Sequence, residues 1–383
     1  MMKKPGILAC AALALLAASC VYPFSAETED GSGALVIEGD ILIGETTAVK
    51  IGRSTPIGGP KSEPVHGVVW VEDEDGTTFR GVRDKSGARY LVNTAAADPG
   101  LAHRLHVQLP DGREYVSSWE KAGAPPVIDS LSYIRDPDHD RLNIALSMHS
   151  QAGSYFKWSY VEDWEYHTQY FAVIKYEAPN VVGYGGKIVP MVYPENTYYC
   201  YRHAESSEIL TFSTERQTDD RFVDLEFHKI PRSDTRISYL YRIKVDLEPL
   251  SAGAYAYWEN IKANSEYSGS LFAPTPSEMV GNIRCVQDPD ELVMGYINVA
   301  RRASKTLYLD ALDVKFYKSD EPYVEGELIG TDRWLEFILK GYLPYSSVMP
   351  EDYSQTYWAP ARCVDCTKMG GTRERPDDWP TNH

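Results

Sequence analysis

The stretch Ser154–Thr168, SYFKWSYVEDWEYHT, decides the fold class. Its aromatic residues recur at every second position, Phe156, Trp158 and Tyr160, then Trp164 and Tyr166, with Glu162 interrupting the series. A period of two belongs to an extended strand, on which alternate side chains share one face; an amphipathic helix would repeat at 3.6. The resulting ribbon can fill a sandwich core, where a Trp on a central strand commonly packs, or form a platform on which a sugar, peptide or flat cofactor stacks. The burial habit of large aromatics favours the core, and Glu162 pulls the other way.

The same alternation extends outward in both directions. ALVIEGDIL, TAVKIGR, VHGVVWVEDEDG, ARYLVNT and LAHRLHVQLPDGREYVSSW are short alternating runs separated by turn residues, with hairpin signals at Asp75-Gly76 and Asp111-Gly112. They predict a first sandwich over 34–122. KAGAPP forms the joint, and a second sandwich over 126–317 follows, with strands in VIDSLSYI, RLNIALSMH, TRISYLYRIKVDLEPL and LVMGYINVARRASKTLYLDALDVKFY. The fold class is therefore mainly β, two antiparallel sandwiches of immunoglobulin-like kind. One helix, over about 251–265, is inserted in the second, with Tyr255, Trp258 and Ile261 along one side. Residues 318–383 read as an irregular, Pro- and Tyr-rich tail. The segment 178–202 reads as a turn-rich insertion in which Tyr198, Tyr199 and Tyr201 surround Cys200. Together with Trp258, these tyrosines are candidate contacts for a ligand or partner.

The chain begins MMKKPGILACAALALLAASC, two lysines and then an apolar run too short to span a bilayer, which reads as a secretion signal over 1–19. The small residues before Cys20 resemble the bacterial lipobox, which makes Cys20 the expected lipidation site. Ordinary secretory cleavage near the same place is the alternative. Residues 20–33, acidic and small, read as a tether between lipid and fold.

Secretion decides how the cysteines are read. Cys10 leaves with the signal and Cys20 is taken by lipid, so Cys200, Cys285, Cys363 and Cys366 remain, an even number in an oxidising compartment. Two disulfides are expected, either joining Cys363 and Cys366 to Cys200 and Cys285 or pairing locally as 363 with 366 and 200 with 285. A redox CxxC would open a helix after a strand, and a zinc site would need a second close pair; neither context surrounds Cys363-x-x-Cys366.

The chain carries 38 basic and 55 acidic residues, a net of −17, which becomes −19 once Lys3 and Lys4 are removed. Without a basic cluster, that balance argues against a nucleic-acid partner. Catalytic signatures such as G-x-S-x-G, H-E-x-x-H and the phosphate loop do not occur, and no catalytic residue, cofactor or metal site is assigned. His103 and His106, three positions apart on a strand, should point to opposite faces. Asp136, Asp138 and Asp140 have the opening spacing of an EF-hand, but Arg141 and Ser147 stand where its Gly and Glu belong. A turn between strands is the better account, with a calcium site outside the EF-hand pattern as the alternative.

Five stretches in order, GALVIEGDI, YFKWSYVEDWEY, AYAYWENIKANSEYSGSLFAPTPSEMVGNIRC, DPDELVMGYINV and CVDCTKMGGTRERPDDW, resemble the Bacteroidota lipoproteins grouped as domain of unknown function 4249. Asp378 departs from the pattern, where relatives usually place an aromatic before Trp379. The resemblance implies an outer-membrane lipoprotein; the cell surface is the favoured side, with the periplasmic face as the alternative. Its N-terminal sandwich would be immunoglobulin-like or carboxypeptidase-regulatory-like, and its role a non-enzymatic accessory or ligand-binding partner of a TonB-dependent receptor in nutrient uptake. An envelope hydrolase with an unrecognised carboxylate site, or a structural or adhesion lipoprotein, are the alternatives.

Overall fold

A computed structural model describes residues 33–55, 63–151, 153–178, 185–192, 195–217, 219–267 and 281–380. Cys20, the signal and the tether lie outside the described residues. The chain forms two compact units, one from residues up to Ala122 together with Ala256–Val299, the other from Gly123–Tyr255 together with Ala300 onward.

The first unit is one long ladder. Its neighbouring strands run Ile283–Cys285, Glu114–Ser117, Ala102–Gln108, Val68–Asp73, Thr78–Arg83, Tyr90–Asn93, Thr46–Arg53, Leu35–Glu38 and Val293–Met294. Alternation sets the faces: Thr47, Val49 and Ile51 point inward while Thr46, Ala48 and Lys50 are exposed. Inward residues from most of these strands meet in one core, including Leu35, Ile37, Val69, Val71, Val92, Leu105, Val107 and Tyr115. Each such aliphatic side chain contributes roughly 1.5–3 kcal/mol through burial. The Asp-Gly signals form the expected turns. Gly76 takes φ +84°, and the Asp73 carboxylate accepts hydrogen bonds from the backbone N–H groups of Asp75 and Thr77.

Both ends of this ladder are supplied by chain that the sequence reading had placed in the second sandwich. Ile283–Cys285 pairs with Glu114–Ser117, and Val293–Met294 pairs in parallel with Leu35–Glu38. The domain expected over 34–122 is thus completed by a distant segment, because its outer strands would otherwise leave unpaired backbone edges. The helix spans Ala252–Tyr267, and from Ala256 onward it belongs to the first unit.

The second unit is a sandwich. One sheet holds Val127–Asp136, Arg141–His149 and Arg221–Pro231; the other holds Tyr155–His167 paired with Tyr199–Glu205, Leu210–Ser213 and Leu240–Pro249, the last pairing onward with Ala303–Asp310. The ribbon of the opening stretch is core: Phe156, Trp158, Trp164 and Tyr166 are buried among Leu142, Ile144, Tyr241, Ile243 and Val245. Asp136 to Asp140 form the turn between two strands of the first sheet. There Asp136 accepts from Arg141 and His139, and Asp140 sits at φ +49°.

Two stretches expected to be irregular contain regular sheet. Ile174–Glu177 pairs with Lys187–Pro190 inside the 178–202 insertion. In the tail, Glu327–Gly330, Asp352–Pro360 and Tyr342–Met349 form an antiparallel sheet beside the short helix Trp334–Leu339. Ile174, Ile188, Ile329, Phe337 and Trp358 make a small core of their own. The tail strands escape a period-two reading because two register shifts, at Pro344/Ser346 and Ser347/Met349, switch the faces partway along.

Candidate functional site: an aromatic surface and its supports

The strand Tyr155–His167 carries two different chemistries on its two faces. On the inner face stands Glu162, 2% exposed. Its Oε1 accepts from the Tyr241 hydroxyl at 2.6 Å, faces His228 Nε2 at 2.8 Å and accepts from Arg236 Nε at 3.1 Å. Burial pushes the Glu162 carboxyl up, but these hydrogen bonds and the Arg236 charge together hold it below its ordinary range. It is therefore an ionised, engaged carboxylate that locks the ribbon in place; it has no proton to donate, and the oxygen they share is already crowded.

The outer face is covered by the end of the chain. Asp163 accepts two hydrogen bonds from Arg242, at 2.7 and 3.1 Å, and Arg242 also donates to the Asp377 carbonyl. Trp379 is buried with Tyr201 and Leu240. Thr372 and Tyr201 exchange both backbone hydrogen bonds, at 2.8 and 2.9 Å. The Tyr166 hydroxyl reaches around to donate to the Cys366 carbonyl at 2.7 Å. Gly371 is required in this dock, since a Cβ there would lie 2.2 Å from the Tyr166 oxygen. Asp378 adopts φ +57°, a conformation Asp tolerates better than most residues, where an aromatic was expected by resemblance.

One disulfide fixes the arrangement, Cys200–Cys366, closing 166 residues. The second expected disulfide does not form. Cys285 is a free thiol buried in the core of the first unit. Cys363 is a free thiol buried among Ala172, Ala359 and Val364 in the second. Each packs as a small apolar side chain, and burial pushes the Cys363 thiol up, away from reactivity.

Beside the disulfide lies a chain of touching rings. Phe171 meets Tyr198 at 5.3 Å between centroids, Tyr198 meets Tyr199 at 4.9 Å, and His167 lies within 4.9 Å of both tyrosines and also packs on Tyr239. Phe171, Tyr199 and Tyr239 are 45%, 41% and 41% exposed. The surface is held from below. Asn196 accepts from the Tyr198 N–H and donates to the Ala172 carbonyl, Cys366 N–H donates to the Thr197 carbonyl, and Glu165 Oε1 pairs with His167 Nε2 at 2.7 Å. Burial and contact with Tyr198 push the Tyr239 hydroxyl well above its usual range, so it stays a neutral donor. An exposed, rigid aromatic surface with hydroxyl rims suits a wet interface.

Of the residues singled out in the sequence, Tyr198 and Tyr199 stand in this surface. Tyr201 does not: it is buried under Trp379 as part of the dock. Trp258 lies in the first unit, where with Tyr257, Ile261, Met294 and Tyr296 it lines a largely apolar cavity of about 410 Å³. His167, Phe171 and Tyr239 were missed because no motif joins them: the first two lie four residues apart at the end of the opening stretch and just past it, and Tyr239 comes from a distant segment. Among the described residues no group of three metal-ligating side chains converges, and no helix is long and apolar enough to cross a membrane.

Residues 21–306 match the model of the family described as a domain of unknown function, DUF4249. The chain belongs to that family. The DUF4249 match covers the first unit and much of the second, and it ends before the tail sheet and the closing cysteines. No curated protein matches this DUF4249 chain. Among solved structures, the chicken CNTN1 FN1-FN3 domains share 9% identity over 84% of this chain and 77% of that one, with a TM-score of 0.17.

Proposed function

We propose that the protein is a non-enzymatic, lipid-anchored binding protein of the Bacteroidota outer membrane that contacts a TonB-dependent receptor or the receptor's ligand. The observation that carries the reading is the ring series in which exposed Phe171, Tyr199 and Tyr239 are joined through half-buried Tyr198 and His167, clamped by the disulfide and the docked tail. A surface already rigid before contact loses little side-chain freedom on binding. Anchoring at Cys20 would confine both partners to one bilayer, so a modest interface suffices through high effective concentration.

Affinity purification from native membranes tests the reading. The variant Tyr198→Ala/Tyr199→Ala should lose the co-purifying receptor while keeping its melting temperature within a few degrees. Unchanged co-purification with a lowered melting temperature would assign the tyrosines to packing and remove the interface. Cys20→Ala should release the protein from the membrane fraction; retention after a carbonate wash would contradict the anchor.

A further inference from the structure

The outer face of the first unit carries a groove that the receptor reading does not use. Val68, Trp70, Thr78, Arg80 and Gln108 line a space of about 390 Å³, within the range of small-ligand sites. It is placed by register. Trp70 stands opposite Arg80 on one neighbouring strand and opposite His106 on the other, Val68 opposite Gln108, and Glu72 opposite Thr78.

The Trp70 ring is held rigidly. It stacks on His106 with centroids 4.7 Å apart and 14° between planes. His106 is itself fixed from both nitrogens, Nδ1 to Glu114 and Nε2 to Glu72, each at 2.8 Å. Glu72 is engaged further by Arg104 at 2.7 and 2.9 Å. Glu72, opposite the groove-lining Thr78, is thus already engaged.

The opposite wall is not. Arg80 is exposed and makes no ion pair among the described residues, and the side chains of Thr78 and Gln108 make no hydrogen bond there. Its guanidinium is therefore left without a carboxylate partner among the described residues. Facing an aromatic wall, it offers a planar fork for a carboxylate. Strand Val68–Asp73 is paired on both sides, whereas in Thr78–Arg83 the groove-lining half, Thr78–Arg80, pairs with Trp70–Glu72 and the pairing to the next strand begins at Gly81. The groove is lined by the side chains of Val68, Trp70, Thr78, Arg80 and Gln108, and its volume suits a ligand small enough to sit between them.

We infer that this groove is a subsite for an acidic sugar residue. The apolar C–H face of the pyranose stacks on Trp70 above Val68, Thr78 and Gln108 take its hydroxyls, and Arg80 takes the carboxylate.

Isothermal titration of the purified mature protein with tri-galacturonate, and with its methyl ester as the uncharged form of the same rings, tests this directly and needs no receptor. The acid should bind in the micromolar to millimolar range and roughly tenfold more tightly than the ester, the scale of a charge-assisted hydrogen bond. Arg80→Gln, at an exposed position that leaves folding intact, should bring the acid down to the ester's affinity. Trp70→Ala should abolish binding of both. No binding of either probe at millimolar concentration, equal binding of the two, or an unchanged preference in Arg80→Gln would each overturn the assignment.

Discussion

The Trp379 indole Nε1 donates to Glu165 Oε2 at 3.2 Å, joining the end of the chain to the outer face of a strand that begins more than 200 residues earlier. Burial pushes the Glu165 carboxyl up, and the hydrogen bonds from His167 and Trp379 more than reverse this, holding it below the usual carboxylate range. The same carboxylate therefore supports the tail through one oxygen and the aromatic surface, via His167, through the other.

Removing the indole should cost more than the tail's few contacts suggest. Trp379→Ala is expected to destabilise the second unit by about 3–5 kcal/mol, and Trp379→Phe by about 1 kcal/mol as the packing survives and the hydrogen bond is lost. Urea denaturation checks both. A Trp379→Ala protein as stable as the parent would mean the tail is only laid against the sheet.

The disulfide closes a long loop, for which the chain-entropy model gives about 5 kcal/mol. Cys200→Ser/Cys366→Ser should melt lower and expose the tail to proteolysis near Gly370-Gly371. In the unfolded, non-reduced mature protein two thiols should titrate, those of Cys285 and Cys363. None titrating would mean that a second disulfide forms in the cell.

Glu162 holds three donors at one oxygen, and Glu162→Gln keeps the shape while deleting the charge that faces Arg236. Breaking such a buried pair costs about 3–5 kcal/mol. Because the folded carboxyl is held below its unfolded value of about 4.3, its stabilisation is present above that pH and lost as pH falls through the folded value. Acid unfolding of the Gln variant should therefore be shallower in that window.

His103 predicts a second pH effect, at milder acidity and in the first unit. Its ring is fully buried, neither nitrogen has a hydrogen-bond partner among the described residues, and burial pushes its pKa down against the pull of Asp73. The unfolded chain then binds the proton first, so stability falls as pH drops below about 6.5 and levels off beneath the folded value. His103→Leu should flatten the melting temperature between neutral pH and pH 5; an unchanged slope would place the sensitivity elsewhere.

The sequence by itself determined what depends on neighbours along the chain. Period-two alternation named the strands and put Phe156, Trp158, Trp164 and Tyr166 on one face; Asp-Gly pairs fixed turns, because Gly alone adopts their backbone angles without cost. It also placed Tyr198 and Tyr199 beside a bridging cysteine. Only the tertiary structure decided which distant segments met. Residues 283–294 return to complete the first ladder, 371–379 cover Asp163 and Glu165, and Cys200 pairs with Cys366 while Cys285 and Cys363 pack as apolar side chains. The physical reason is that local pattern specifies which face of a strand must be covered. What covers it is chosen by the global satisfaction of edges, buried charges and volume, and no short window of sequence contains that choice.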